Sequence, residues 1–270
     1  MIEPFLKWAG GKRWLVTGYR SLFPKSFKRY VEPFLGGGAV FFYLAPPRAL
    51  LADSNEELIN AYKVVKQYPL QVERTLSRYQ NLHCESFYYS MRSRRPRLSV
   101  AQAARFMYLN RVCFNGLYRV NLRGIFNVPM GTKTEVAYPS QYLWTISKSL
   151  AHATIVASDF EQTLALTGKG DFVYVDPPYT VAHNNNNFLK YNDILFSWQD
   201  QIRLSRAVRQ ASSRGALVLI SNADHPSIHE LYAGFGFHHI VERLSVLAGR
   251  PDARRRITEL AIRNYGSAGE

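Results

Sequence analysis

The apolar positions of this chain fall into two rhythms. In the opening third, Tyr30-Val31-Glu32 reads as a short strand that runs into Gly36-Gly37-Gly38. An apolar stretch from Ala39 to Leu44 then starts a helix, and Ala49-Leu50-Leu51-Ala52 is a second buried strand ending at Asp53. Ser54 and Glu57, three apart, read as a capping box that opens a helix through about Lys66. From about Gln67 to Trp144 the strand-helix alternation stops. Apolar residues recur there at helical spacing around Ala101, Ala104, Phe106, Tyr108 and Leu109. Two short extended runs from Tyr118 to Val128, about Asn121-Leu122-Arg123-Gly124, predict a hairpin. The first rhythm then resumes with strands at Thr154–Ala157, Phe172–Val175 and Ala216–Ile220 and a helix from about Trp198 to Ser212 with Ser197 as its N-cap. Phe237–Val241 and Ile257–Ile262 form a closing pair.

Alternating strands and helices predict an α/β fold with a mostly parallel sheet covered on both faces. The break in rhythm predicts an inserted, mostly helical domain. The expected division is a sheet domain of residues 1–66 and 145–270 and an insert of residues 67–144.

Charge adds a partner to this picture. Against 20 Asp+Glu the chain carries 34 Lys+Arg, a formal net charge of +14. Such an excess suits a polyanion, with an anionic membrane surface as the competing reading. No stretch approaches the apolar length needed to span a bilayer, and Met1–Lys7 lacks the layout of a signal peptide. From Ser86 to Thr134 there is no Asp or Glu. That window holds Arg92, Arg94, Arg95, Arg97, Arg105, Arg111, Arg119, Arg123 and Lys133, interleaved with Phe87, Tyr88, Tyr89, Phe106, Tyr108, Phe114, Tyr118 and Phe126. Basic and aromatic residues so mixed suit a surface that grips phosphates and stacks on bases; an exposed basic face over ordinary core aromatics is the plainer alternative. The two cysteines, Cys84 and Cys113, form no CxxC pair and suit a reducing cytoplasm.

Four short segments carry candidate chemistry. Asp176-Pro177-Pro178-Tyr179 follows a buried strand and so sits at a carboxyl end, where open α/β sheets place their ligands. Two prolines fix the backbone and remove two N–H donors, leaving carbonyls and a carboxylate to accept the two N–H groups of an exocyclic amine. Tyr179 is placed to stack on the base. Glu32-Pro33-Phe34-Leu35-Gly36-Gly37-Gly38 lets the backbone turn tightly beside a ligand, but it lacks the spacing of a phosphate loop. Asp53, about 20 residues after the first strand, is where nucleotide-binding folds keep an acid for ribose hydroxyls. Phe5-Leu6-Lys7-Trp8-Ala9-Gly10-Gly11-Lys12 reads as a ligand-facing loop. A Pro-Pro strand terminator, a plain turn, a helix-capping Asp and a disordered terminus are the structural alternatives for the four. His225 and His229, four apart, lack a third ligand at suitable spacing, and no metal site is expected.

In combination, and in their order along most of the chain, these segments resemble the Dam-type (D12 class) DNA adenine N6-methyltransferases. The segment from Tyr108-Leu109-Asn110-Arg111 through Phe114-Asn115-Gly116-Leu117, with Asn121–Gly124 and Phe126–Pro129, resembles that family's DNA-reading region. The resemblance implies a Rossmann-like methyltransferase sheet with the inserted recognition domain, and S-adenosylmethionine as cofactor, leaving as S-adenosylhomocysteine. It implies cofactor contacts from Trp8, Lys12, Asp53 and Asp176, with Phe34 and Gly36 nearby, and catalysis at Asp176, Pro177 and Tyr179. Double-stranded DNA is the implied partner, with no membrane and no obligate protein partner. Family members commonly read GATC and flip the target adenine out of the duplex. Arg119 and Lys7 match guanine contacts, Phe114 and Asn115 match residues that fill or border the vacated space, and Arg92, Leu117, Asn121 and Pro129 are further DNA-contact candidates. Two features depart from the pattern. The family more often has Tyr at the position of Phe114, and Asn184-Asn185-Asn186-Asn187 replaces a Ser/Thr-rich loop. The alternatives are a related enzyme acting on protein or RNA amines, and a DNA-binding protein with a degenerate cofactor site. Asp176 stands where glutamine-modifying relatives usually carry Asn, and the intact set Trp8, Lys12, Asp53 and Asp176 opposes the second.

Overall fold

The apolar runs of the opening third and of the second half are strands in the computed structural model of the chain, which describes residues 2–121, 123–182, 196–244 and 256–266. In chain order the elements are α1 (Arg13–Gly18), β1 (Arg29–Glu32), α2 (Ala39–Leu44), β2 (Ala49–Asp53), α3 (Glu56–Gln67), α4 (Pro69–Leu82), α5 (Glu85–Ser93), α6 (Ser99–Val112), α7 (Tyr142–Ser149), β3 (Ala153–Ala157), α8 (Phe160–Ala165), β4 (Asp171–Val175), α9 (Trp198–Ser213), β5 (Leu217–Ala223), α10 (Pro226–Leu231), β6 (Phe237–Leu244) and β7 (Arg256–Arg263). The strands form a seven-stranded sheet of order β3-β2-β1-β4-β5-β7-β6, a mixed α/β architecture. Pairing is parallel from β2 through β1 and β4 to β5. β7 then runs antiparallel to both β5 and β6, an arrangement hydrophobic pattern alone does not specify.

Two compact units divide the chain. The first comprises Met1–Arg13, Leu35–Pro47 and Asp53–Ala157; the second comprises Trp14–Phe34, Arg48–Ala52 and Ser158–Glu270.

In the first unit α6 is the central helix. Ala103 to Asn110 are all buried, as expected of a helix that is covered on every side. Two sequence expectations change here. The capping residue of α3 is Asn55, whose side chain accepts from the Leu58 amide at 3.0 Å, and Ser54 is exposed. Half of the aromatics of the acid-free window are core: Tyr88, Phe106, Tyr108 and Phe126 are buried, while Tyr89 and Phe114 are exposed. Arg105 is buried with them and is no part of a basic surface. Its Nε donates to the Met91 carbonyl at 2.9 Å, its Nη2 to the Arg92 carbonyl at 2.8 Å, and its Nη1 pairs with Glu57 at 3.2 Å.

Arg105→Ala is therefore a stability variant rather than one that changes the exposed basic surface. Each orphaned carbonyl costs roughly 1–3 kcal/mol, so urea unfolding should show a loss of about 3 kcal/mol. The salt dependence of any affinity for a polyanion should keep its slope, because no phosphate contact is removed. A stability change below about 1 kcal/mol, the scale of one ordinary hydrogen bond, would show that the guanidinium is dispensable.

In the second unit the sheet core is built from β1, β4 and β5. Tyr30, Phe172, Phe23 and Phe27 pack ring on ring beneath them. α9 starts where its sequence says it should: Ser197 and Asp200 form a reciprocal capping box. Parallel strands put their carboxyl ends on one edge of the sheet. The turns after β4 and β5 therefore carry Asp176 and Asp224 side by side in strand order.

Candidate active site

In the first unit, β2 delivers Asp53 to a turn where its two carboxylate oxygens do different work. Oδ2 accepts from the Gly36 amide and Oδ1 from the Asn55 amide, both at 3.0 Å. Burial raises this carboxyl above its ordinary range, and the amides of Gly36, Asn55 and Ser54 pull it back. Asp53 is thus a clamped acceptor, not the cap of α3. Gly36 holds a left-handed backbone with φ +47°, and a Cβ there would lie 2.7 Å from Cδ1 of Trp8. Only glycine lets the turn approach the indole this closely. Trp8 in turn stacks on Tyr118 at 5.3 Å with a 21° tilt. Lys12 is buried, with Nζ donating to the Gly10 carbonyl at 2.9 Å. The structure therefore brings Trp8, Gly36 and Asp53 together, with Lys12 folded onto the glycine pair of the same N-terminal segment.

In the second unit, Asp176 directly follows β4 and is half-buried. Below it lies a buried group formed by Tyr30, Glu32 and Tyr174. Burial holds the Tyr174 phenol far above its usual range, and the Asp176 and Glu32 carboxylates add to the effect. Pro177 is buried, and the Pro178 carbonyl faces Nε2 of Gln201 at 3.5 Å. Asn222 orients that amide by donating to Gln201 Oε1 at 3.2 Å, and both side chains are fully buried. The Tyr179 hydroxyl donates to Glu259 Oε2 at 2.6 Å and lies 2.8 Å from Ser221 Oγ. Phe34 stacks on Phe160 at 5.5 Å and meets Phe196 edge-on at 5.6 Å. Sequence reading missed Gln201, Ser221, Asn222 and Glu259. The pair Ser221-Asn222, ending a wholly apolar strand, is the one signal that marked them.

The DNA candidates all lie in the first unit. Asn110 is the buried clip among them. Its Oδ1 accepts from the Lys7 amide at 3.0 Å, and its Nδ2 donates to the Lys7 carbonyl at 2.7 Å and to the Gly116 carbonyl at 3.4 Å. A Cβ on Gly116 would strike Lys7 Cδ at 2.4 Å, so Lys7 lies directly on the loop carrying Phe114, Asn115 and Leu117. All three of those side chains are exposed, and Asn115 has φ +55°. Phe114 donates its amide to the Pro129 carbonyl at 2.9 Å. Arg92 reaches the neighbouring Val128 carbonyl at 3.3 Å and covers the Tyr89 ring. The expected hairpin is short, bridged at Val120 and Phe126. Asn121 serves its turn, with Oδ1 accepting from the amides of Arg123 and Ile125 at 3.0 Å each. Arg119 is exposed, with Nε donating to Asn127 Oδ1 at 2.9 Å. Leu122 and the asparagine run 184–187 lie outside the described residues.

His225 caps α10 by accepting from the Ser227 amide, and His229 pairs with Asp224 at 2.9 Å. Among the described residues no group of three His, Cys, Asp or Glu side chains is placed to hold a metal ion, and no helix is long and apolar enough to cross a membrane.

A family model described as D12 class N6 adenine-specific DNA methyltransferase matches residues 8–246. The chain is 39% identical to the type II methyltransferase M1.LlaDCHI of Lactococcus lactis subsp. cremoris, covering 98% of this chain and 96% of that one. It is 35% identical to the type II methyltransferase M.MjaIII of Methanocaldococcus jannaschii, covering 98% and 99%. With the DNA adenine methylase of Escherichia coli K12 it shares 33% identity over 95% and 93%.

Proposed function

The chain belongs to the D12 class of N6 adenine-specific DNA methyltransferases, and from that premise we propose that it methylates N6 of adenine within GATC in double-stranded DNA, in the cytoplasm, by flipping the base and attacking S-adenosylmethionine directly in line. The observation that carries this reading is the turn Asp176-Pro177-Pro178-Tyr179 at the carboxyl end of β4. Its prolines offer no N–H, so the turn presents acceptors: a carboxylate and carbonyls. An adenine amine offers two N–H donors. Asp176 and the Pro177 carbonyl accept both and hold the nitrogen with its lone pair directed at the methyl donor, while Tyr179 stacks on the ring. Positioning supplies much of the rate, because a fixed near-attack geometry replaces a random encounter. As the new N–C bond forms, charge develops on N6. With S-adenosylmethionine bound, the S–CH3 bond would break as N–CH3 formed, releasing S-adenosylhomocysteine. The Asp176 carboxylate would stabilise the positive charge on N6 until its proton passed to water.

The residues of the first unit fit the cofactor by their chemistry. A carboxylate has about four acceptor sites, and the amides of Gly36, Asn55 and Ser54 approach Asp53. The remaining capacity suits a ribose hydroxyl. Trp8, Lys12, Gly36 and Phe34 complete the proposed contact set with Asp53 and Asp176. When bound, S-adenosylmethionine supplies an electrophilic sulfonium methyl. On the DNA side, Arg119 and Lys7 read guanines, and Phe114 and Asn115 occupy the space the adenine leaves. Arg92, Leu117, Asn121 and Pro129 make further contacts, Asn121 through its turn.

Expression in a host lacking adenine methylation, followed by sequencing with modified-base detection, tests this directly. N6-methyladenine at GATC is the expected result. Modification in another context would retire GATC alone, and unmodified adenine throughout would retire the proposal.

A further inference from the structure

We infer that Glu259 is a positioning residue for the reaction, acting through Tyr179, with Ser221 and Arg243 completing its grip. This rests on the adenine-methylation reading given above. Glu259 lies on β7, opposite Ala223 of β5 on one side and Val241 of β6 on the other, so the strand is interior to the sheet. The side chain is only 3% exposed. A carboxylate so placed is costly unless its oxygens are bonded and its charge is matched. Both conditions hold. Arg243 Nε donates to Oε1 in an ion pair from the diagonal position on β6, and the Tyr179 hydroxyl donates to Oε2 at 2.6 Å.

The hydroxyl carries one proton and gives it to Glu259. The contact with Ser221 Oγ at 2.8 Å must then run the other way, with the serine donating to the phenol oxygen. Ser221 is itself buried. The end of the tyrosine is therefore held from two directions by groups fixed on two different strands. The hydroxyl oxygen lies on the ring axis, so its position fixes the first side-chain torsion; a phenol O–H stays in the ring plane, so the direction of the bond to Glu259 sets the second. The ring becomes a preset wall three residues from Asp176, with its plane determined before any base arrives. A hydrogen bond to an ionised acceptor is about twice as strong as a neutral one, so the charge on Glu259 matters beyond its shape. Burial together with the Asp176 and Glu259 carboxylates keeps the phenol protonated, and so able to donate, across the working pH range.

A double-mutant cycle of Glu259→Gln and Tyr179→Phe tests the assignment, with kcat and the KM values for DNA and cofactor measured on all four proteins. Expected are a fall in kcat of roughly tenfold for E259Q in the parent, the scale of one charge-assisted hydrogen bond, little change in either KM, and almost no further loss when E259Q is added to Y179F. Equal losses in both backgrounds would overturn the proposal and leave Glu259 as a sheet-stabilising residue, as would an unchanged kcat. Thermal unfolding of each variant checks the fold. Should E259Q unfold, Ser221→Ala, which removes the second bond to the same hydroxyl, enters the cycle in its place with the same expected pattern. A parent enzyme that left adenine in DNA unmethylated would overturn the functional reading, and this proposal with it, before any variant was compared.

Discussion

Asp176→Ala abolishes methyl transfer while DNA affinity largely survives: that is the result expected from the acceptor turn after β4. The carboxylate is half-buried above the Tyr30, Glu32 and Tyr174 group, and it is the one charged acceptor of the Asp176–Tyr179 segment. On the proposed mechanism, truncating it removes the anion that steadies the developing charge on N6 and one of the two acceptors that orient the amine. Losing a single preorganised polar contact of this kind costs roughly 10²–10³ in turnover, and the loss of orientation adds to it. Binding should persist because the DNA-contact candidates lie on the other unit and are untouched. Single-turnover methylation and DNA affinity are to be measured on the same protein. Near-normal turnover would remove Asp176 from the chemistry, and a collapse of affinity in parallel would make it a structural residue.

Arg119→Ala should relax specificity at one guanine rather than weaken all binding. Asn127 holds Nε of Arg119 at 2.9 Å. That bond sets the plane of an exposed guanidinium and leaves the two terminal nitrogens as a fork. Such a fork matches the O6 and N7 acceptors of guanine, and one bidentate pair discriminates by about 1–3 kcal/mol. The preference for the proposed GATC site over a variant at that guanine should therefore narrow about ten- to a hundredfold. A phosphate clamp would behave differently, lowering affinity for every sequence alike. Methylation kinetics on four duplexes differing at one guanine position decide between the two. Unchanged ratios in the mutant refute base reading. Asn127→Ala should reproduce part of the effect, since the fork then loses its orienting bond.

Much of the sheet was legible because buried parallel strands are nearly continuous apolar runs: Ala49–Ala52 and Phe172–Val175 stand out for that reason. The short helices α1, α8 and α10 were not read, having too few turns to show a period. Charge was a poor guide to depth. Arg105 counts with the other basic residues of its window, yet three acceptors pull it inside. Glu259 sits in Arg-Ile-Thr-Glu-Leu, which alternates like a strand with one face in water. Its burial follows from β7 lying between two other strands, a topological fact with no local trace. The positions of Asp53 and the Asp176 turn were legible because local pattern reveals strand ends, where the structure puts both. The capping residue of α3 moved by one position because Ser54 and Asn55 are both competent caps, and the choice rests on backbone conformation.

Asn110 has a consequence for how the first unit comes apart. It pairs with both the amide and the carbonyl of Lys7, as a neighbouring strand would, yet it belongs to the most buried helix of the unit. A segment held this way does not fray independently. The Lys7 amide proton is expected to exchange with solvent only when its pairing to α6 opens, which would tie the backbone around Lys7 and that helix into one cooperative unfolding unit. The peptide that looks most like a loose end is, in exchange terms, part of the slow core.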